Sequence, residues 1–190
     1  GLIVDSKKGG KPYDRFRNRI IFPVENISGK TIAFGGRIMG EGEPKYLNSP
    51  ETQLFQKRNN LYGMRESIDY IRKNGEAIVV EGYTDVIALH QHGFAGSVSP
   101  LGTALSESQI QLIWKYCREP VLCFDGDVAG SRAAVRAAER ALPLIKPGLS
   151  INFVILDEGR DPDSILASKG ASGFENVLSK CIGSTTTVNV

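Results

Sequence analysis

An α/β fold is what this 190-residue sequence predicts: a mainly parallel sheet flanked by helices, preceded by a small α+β basic subdomain. Three features carry the prediction. After Gly75, apolar strand-like runs alternate with segments of helical period, the pattern of a parallel sheet with helices on its faces. Before Gly75, two apolar runs flank Ser28-Gly29-Lys30 in the manner of an antiparallel hairpin. The apolar runs after Gly75 also end in carboxylates, and parallel sheets present ligands beyond the carboxyl ends of their strands.

In chain order, the hairpin pairs Arg19-Ile20-Ile21-Phe22-Pro23-Val24 with Thr31-Ile32-Ala33-Phe34. Residues 65–73 follow with helical spacing. Strands are expected at Ala77-Ile78-Val79-Val80, Val121-Leu122-Cys123-Phe124 and Asn152-Phe153-Val154-Ile155-Leu156, with a further one just before the loop Ser99-Pro100-Leu101-Gly102-Thr103-Ala104. Helices are expected over residues 85–91, from a Ser106/Gln109 capping box to about residue 116, and over 129–142, where Pro143 stops the last of them. The chain divides into 1–74, the basic subdomain; 75–170, the sheet domain; and 171–190, a helical start with a ragged terminus. Lys7-Lys8-Gly9-Gly10-Lys11-Pro12 reads as a mobile loop. Opening on glycine rather than methionine, the sequence is expected to be a piece of a longer protein.

Composition narrows the setting. With 41% hydrophobic residues the chain can bury a proper core. No apolar run approaches the roughly 20 residues that span a bilayer, and a cytoplasmic protein without membrane contact is expected. The cysteines, Cys117, Cys123 and Cys181, form no Cys-x-x-Cys pair and read as reduced and structural. Net charge is only +2, yet Lys and Arg crowd the stretch from Lys7 to Lys73 while the acidic clusters come later. A basic module beside an acidic metal cluster suits a phosphodiester substrate, the metals screening the reacting phosphate and the cations holding the backbone.

The acidic clusters are Glu81 with Asp85, Asp125 with Asp127, and Asp157 with Asp161 and Asp163. Hard oxygen ligands without histidine favour Mg²⁺ or Mn²⁺ over zinc. An Asp after a strand also serves as a turn former or helix N-cap. In Asp125-Gly126-Asp127 the two carboxylates are expected to point the same way, with Gly126 letting the backbone bend toward an ion. Metal-ligand candidates are Glu81, Asp85, Asp125, Asp127, Asp161 and Asp163. Glu81, leaving a buried strand, is expected to have a raised pKa and to act as general base or as a ligand. Asp157 only shapes its loop. His90 and His92 lack partners at ligand spacing, and Trp114 and Tyr116 read as packing residues. Arg65, Arg72 and Lys73 read as an exposed helical face that pairs with Glu66 or Asp69.

Glu81-Gly82-Tyr83-Thr84-Asp85, Asp125-Gly126-Asp127-Val128-Ala129-Gly130 and Asp157 through Asp161-Pro162-Asp163, in that order, resemble the Toprim domain of primases, topoisomerases and some nucleases. The preceding Tyr13-Asp14-Arg15-Phe16-Arg17-Asn18-Arg19, Phe34-Gly35-Gly36-Arg37 and Pro44-Lys45-Tyr46-Leu47-Asn48-Ser49-Pro50-Glu51-Thr52 resemble the bacterial DnaG-type primases. The resemblance runs from about Leu2 to Leu178. It implies a Toprim-type sheet and the C-terminal part of a basic primase subdomain, making RNA primers on single-stranded DNA from ribonucleoside triphosphates. It implies Mg²⁺, with Mn²⁺ able to substitute, and catalytic roles for Glu81, Asp125 and Asp127. Template or nucleotide contacts are expected from Arg15, Arg17, Arg37, Lys45 and Lys57, with Asn48 and Ser49 bonding phosphate or sugar. The loop from Ser99 to Ala104, at the end of its expected strand, lies near the site, where a nucleotide contact by Gly102 or Thr103 is expected. The replicative helicase and single-strand-binding protein are implied partners through regions this sequence does not contain. Two rivals share parts of the pattern: a Toprim nuclease, and a response-regulator receiver, which also gathers aspartates at a sheet edge but needs no basic module.

Overall fold

A computed structural model describes the protein over residues 2–6 and 9–183, with side chains as far as residue 179. Lys7 and Lys8 of the expected mobile loop, the Cys181 side chain and the terminal run 184–190 lie outside the described residues.

The first module is built from antiparallel strands. A short pair, β1 (Ile3–Val4) and β2 (Tyr13–Asp14), precedes a three-stranded sheet of β3 (Arg19–Glu25), β4 (Thr31–Ile38) and β5 (Tyr46–Asn48) in that order. The expected hairpin is β3–β4, with Gly29 taking the left-handed conformation (φ 75°) in its turn. In register, Arg37 of β4 faces Tyr46 of β5, so two segments with basic residues lie side by side.

Helix α1 (Met64–Asn74) ends at Gly75, whose left-handed φ of 71° closes the last turn with an N–H bond to Ile71 O. There follow β6 (Ile78–Val79), α2 (Tyr83–Gln91), β7 (Ser97–Val98), α3 (Glu107–Trp114), β8 (Val121–Phe124), α4 (Val128–Ala141), β9 (Asn152–Ile155) and α5 (Pro162–Gly183). The four strands form one all-parallel sheet in the order β7-β6-β8-β9. The capping box is present at α3: Ser106 Oγ accepts the Gln109 N–H at 3.1 Å and Gln109 Oε1 accepts the Ser106 N–H at 2.9 Å. Helix α5 is interrupted at Gly170 (φ 67°, ψ −171°).

Strand periodicity divides the core between two faces. Val79, Leu122 and Phe124 pack with α1, α3 and α4, while Val80, Cys123 and Val154 pack with α2 and α5. Helix α1 precedes Gly75 in sequence but buries Met64, Ile68 and Ile71 in the sheet's core. Its outer face carries the exposed Arg72–Asp69 pair at 3.9 Å, and the Arg72 guanidinium also lies 4.9 Å from the Tyr116 ring. Cys117 and Cys123 are buried, and Trp114 is buried with its Nε1–H bonded to Ser150 O at 3.0 Å. No described helix is long and apolar enough to cross a membrane.

The modules meet at a third cluster in which Phe22, Val24, Ala33 and Phe55 pack with Tyr83 and Leu101. Two polar ties reinforce it. Tyr62 and Ser99 exchange backbone hydrogen bonds at 2.8 and 3.1 Å, and the buried Gln109 Nε2 donates to Lys57 O and Asn60 O at 2.9 and 2.7 Å.

Candidate active site

The chain leaves β6 toward β7 on one side and returns to β8 on the other, so the strand order reverses between β6 and β8. Open parallel sheets place ligands at such a switch point. Glu81 follows β6 and Asp125 follows β8, and the two are joined by the Asp125 N–H, which donates to Glu81 Oε1 at 3.0 Å. Asp85 lies in the first turn of α2, Asp163 in the first turn of α5, and Asp161 just before it, where its Oδ1 accepts the Ser164 N–H at 2.7 Å. Helix N-termini thus converge on the acidic edge, and their partial positive charge favours anions there.

Glu81, Asp85, Asp125, Asp161 and Asp163 line a single cavity of about 330 Å³. Its opposite wall comes from the first module: Arg37, Lys45, Tyr46 and Asn48. Pro100 and Gly102 close one end, as expected of the loop after β7. The guanidinium of Arg37 and the ammonium of Lys45 lie 5.9 and 6.0 Å from the Tyr46 ring centre.

Without cations the carboxylates raise one another's pKa. Burial, then Glu81 and the other neighbouring carboxylates, push Asp125 up to about 7. Burial with Asp161 and Asp163 pushes Asp85 up to about 6. Glu81 is raised, as expected, chiefly by burial, against the opposing effects of the Asp125 N–H and the Arg136 charge.

Asp125 Oδ1 is buried and has no hydrogen-bond partner. Among the described residues no three acidic side chains approach closely enough to form a ready-made metal cage. An orphaned carboxylate oxygen in an open, all-oxygen edge fits a hard divalent ion whose shell is completed by substrate oxygens.

Several sequence expectations meet a different geometry. Asp125 and Asp127 do not point the same way: Asp125 faces the cavity, whereas Asp127 is the N-cap of α4, its Oδ1 accepting the Gly130 N–H at 2.6 Å. The helix begins at the next residue, so one Asp127 oxygen is committed to an orphan backbone donor. Ser49 is buried, and its Oγ accepts the Phe34 N–H at 3.0 Å. Asn48 accepts the Tyr83 hydroxyl and donates to Leu101 O at 3.0 Å. Arg15 holds Asn48 O through Nε and Nη2 at 3.2 and 2.9 Å. Exposed Arg17 lies 5.0 Å from the Tyr13 ring, and Lys57 lines a separate polar groove with Arg58 and Arg140. The structure therefore brings Arg37 and Lys45 to the acidic edge and leaves Arg17 and Lys57 outside that cavity. Asp157 is exposed, and its carbonyl packs on Gly126. His90 Nε2 lies 3.1 Å from Ser67 Oγ and 2.9 Å from Ser97 O, and His92 Nδ1 lies 2.8 Å from Ala88 O.

Two participants escaped the sequence reading. Tyr83 carries the joint between the modules, and the signal for it was Gly35 inside a strand, which marks close approach. Arg136, two turns into α4, shares a second cavity with Glu81; an Arg in an Ala-rich helix gives no such signal.

Comparison with known proteins agrees with this architecture. Residues 1–68 match the family described as DNA primase catalytic core, N-terminal domain, and residues 75–155 match the Toprim domain. The DNA primase of Pasteurella multocida is 46% identical over 182 residues, 96% of this chain and 31% of that protein. That of Legionella pneumophila is 48% identical over 179 residues, 94% and 31% respectively. A DNA primase domain from Pseudomonas aeruginosa superimposes with a TM-score of 0.92 at 46% identity, covering 95% of this chain and 56% of that one. A DnaG primase catalytic domain bound to single-stranded DNA gives 0.87 at 41% identity, covering 94% and 57%.

Fold and site together define a Toprim domain joined to a basic antiparallel module. More particularly, the chain belongs to the DnaG-type DNA primases and corresponds to part of their catalytic core. It spans about a third of the length of the curated relatives it matches.

Proposed function

We propose that this chain supplies the nucleotidyl-transfer site of a primase, which joins ribonucleotides into short RNA primers on single-stranded DNA during replication. One observation carries the reading: a basic wall and an acidic edge from different modules line the same cavity. A hydrolytic nuclease would use the same carboxylates, but the relatives with this basic module are DNA primases. With Mg²⁺ and single-stranded DNA, addition of ribonucleotides should yield RNA rather than DNA fragments.

Glu81, Asp85, Asp125, Asp161 and Asp163 would hold Mg²⁺, or Mn²⁺ in its place, with Asp127 contributing through its second oxygen. When bound, such an ion would screen the α-phosphate and ease loss of the attacking hydroxyl's proton. Glu81, held by the Asp125 N–H with its pKa raised by burial, is suited to accept that proton or to serve as a ligand. Arg37 and Lys45 hold the phosphates of template or nucleotide from across the cavity. Contacts to backbone rather than to base edges fit an enzyme that copies varied templates. Arg15 supports that wall through Asn48 O, while Arg17 and Lys57 can guide the strand outside the cavity. Helicase and single-strand-binding protein would be partners of the whole protein at the replication fork, in the nucleoid.

Carboxylates without a rigid cage should bind divalent ions weakly until phosphates complete the shell. Calorimetry on the intact protein should therefore show Mn²⁺ affinity rising at least severalfold when a ribonucleoside triphosphate is present. An affinity indifferent to nucleotide would place the triphosphate elsewhere and defeat the reading.

Arg37→Ala and Lys45→Ala should each weaken single-stranded DNA or nucleotide binding and flatten its salt dependence by roughly one counterion, with Mn²⁺ affinity unchanged. Identical salt slopes in parent and variants would mean that these residues only face solvent.

A further inference from the structure

Tyr83 lies two residues after Glu81 and two before Asp85, so its place in the chain is fixed by the acidic edge. Its side chain, however, belongs to the other module. The ring stacks on Phe22 with centroids 5.3 Å apart and meets Tyr62 edge-on at 4.7 Å. It presses on β4 at Gly35, where any Cβ would come within 2.8 Å of the ring. The hydroxyl donates to Asn48 Oδ1, the only hydrogen bond between β5 and α2 among the described residues.

Asn48 is in turn a hub. Its Nδ2 donates to Leu101 O at 3.0 Å, in the loop whose Pro100 and Gly102 close the cavity, while Arg15 grips its carbonyl. It ends the strand that opens with Tyr46, directly after Lys45, and Tyr46 is paired in register with Arg37. One side-chain amide thus connects the strand beside both cavity-lining cations to the helix that carries Asp85. Aromatic packing already holds the modules together.

Resting on the primase reading, we propose that Tyr83 is a positioning residue: through its hydroxyl and Asn48 it sets the spacing between the basic wall and the acidic edge, so that one nucleotide can engage both at once. Each wall binds its own ligand without it. The joint engagement that favours transfer depends on it.

The test uses Tyr83→Phe in the intact protein, which keeps the ring and removes only the hydroxyl. Mn²⁺ affinity without nucleotide and affinity for single-stranded DNA should stay within twofold of the parent. The nucleotide-induced gain in Mn²⁺ affinity should shrink at least fivefold, and kcat for primer synthesis should fall about tenfold, ahead of any change in KM. Asn48→Ala should show the same loss of coupling, and the double variant should be no worse than Asn48→Ala alone, because the two residues act as one unit. Full coupling and normal kcat in Tyr83→Phe, or additive losses in the double variant, would overturn the proposal while leaving the primase reading intact. A parent protein without any nucleotide–Mn²⁺ coupling would instead remove the reading on which it rests, and the proposal with it.

Discussion

Asp125→Asn is expected to cut primer synthesis by at least about 1,000-fold while raising the melting temperature of the metal-free protein. The first effect follows from the ligand role proposed for Asp125, since metal stabilisation of a phosphoryl transition state is worth several kcal/mol. The second follows from the sign of the pKa shift. Folding raises the Asp125 pKa from the ordinary carboxylate range to about 7, so the folded state favours its neutral form. That stability is fully present below about pH 4, where the unfolded group is also protonated, and is lost as pH rises through 7. Asp85 adds the same trend, completed near its folded value of about 6. After discounting for partial exposure, Asp125→Asn should return about 1–2 kcal/mol at pH 8. Thermal melts from pH 4 to 8, with and without Mn²⁺, check both points. Added Mn²⁺ should stabilise the parent more than the variant. Near-normal synthesis by the variant would remove Asp125 from the metal site.

Gly126→Ala should be the most damaging of the small substitutions. Its Cβ would stand 1.8 Å from Asp157 O and 2.7 Å from Leu156 O. Neither carbonyl is free to retreat. Gly126 N donates to Arg160 O at 2.8 Å, Gly159 N donates to Gly126 O at 2.8 Å, and Leu156 N donates to Phe124 O at 3.0 Å. A loss of at least about 3 kcal/mol is expected, with displacement of the loop that delivers Asp161. Gly130→Ala meets Asp125 O at 2.2 Å and should behave similarly. By contrast, Gly75→Ala keeps its left-handed φ with no atom within 4 Å of the new Cβ, and should cost only about 1 kcal/mol. Urea midpoints of the three variants are the measurement. Gly126→Ala within 1 kcal/mol of the parent would show that the β8 and β9 ends can separate.

Residues with local causes were legible. Apolar runs bounded by acids gave β6, β8 and β9, and the Ser106/Gln109 box fixed the start of α3 to the residue. The acidic edge followed from strand direction alone. What sequence spacing could not resolve was the second duty of each polar group. Asp161 lines the acidic edge and also accepts a helical N–H, and Asp127 is turned to its helix N-terminus instead of pointing with Asp125, because strand ends that deliver carboxylates are also helix starts. Asn48 and Ser49 sit in the most specific motif of the first module, yet their side chains bond to protein atoms 15 to 53 positions away. Pairings over such separations exist only once both modules have folded, so no local pattern announces them.

The joint between the modules is made of stacked rings and neutral hydrogen bonds, whereas the only ion pair among the described residues lies on the exposed face of α1. Dissolved salt screens exposed charges and leaves buried aromatic contacts largely untouched. The walls of the cavity should therefore keep their separation across a wide range of ionic strength, while their grip on a polyanion loosens steeply. Rising salt would release a bound polyanion without reshaping the site, and lowering it again would restore a site already in place.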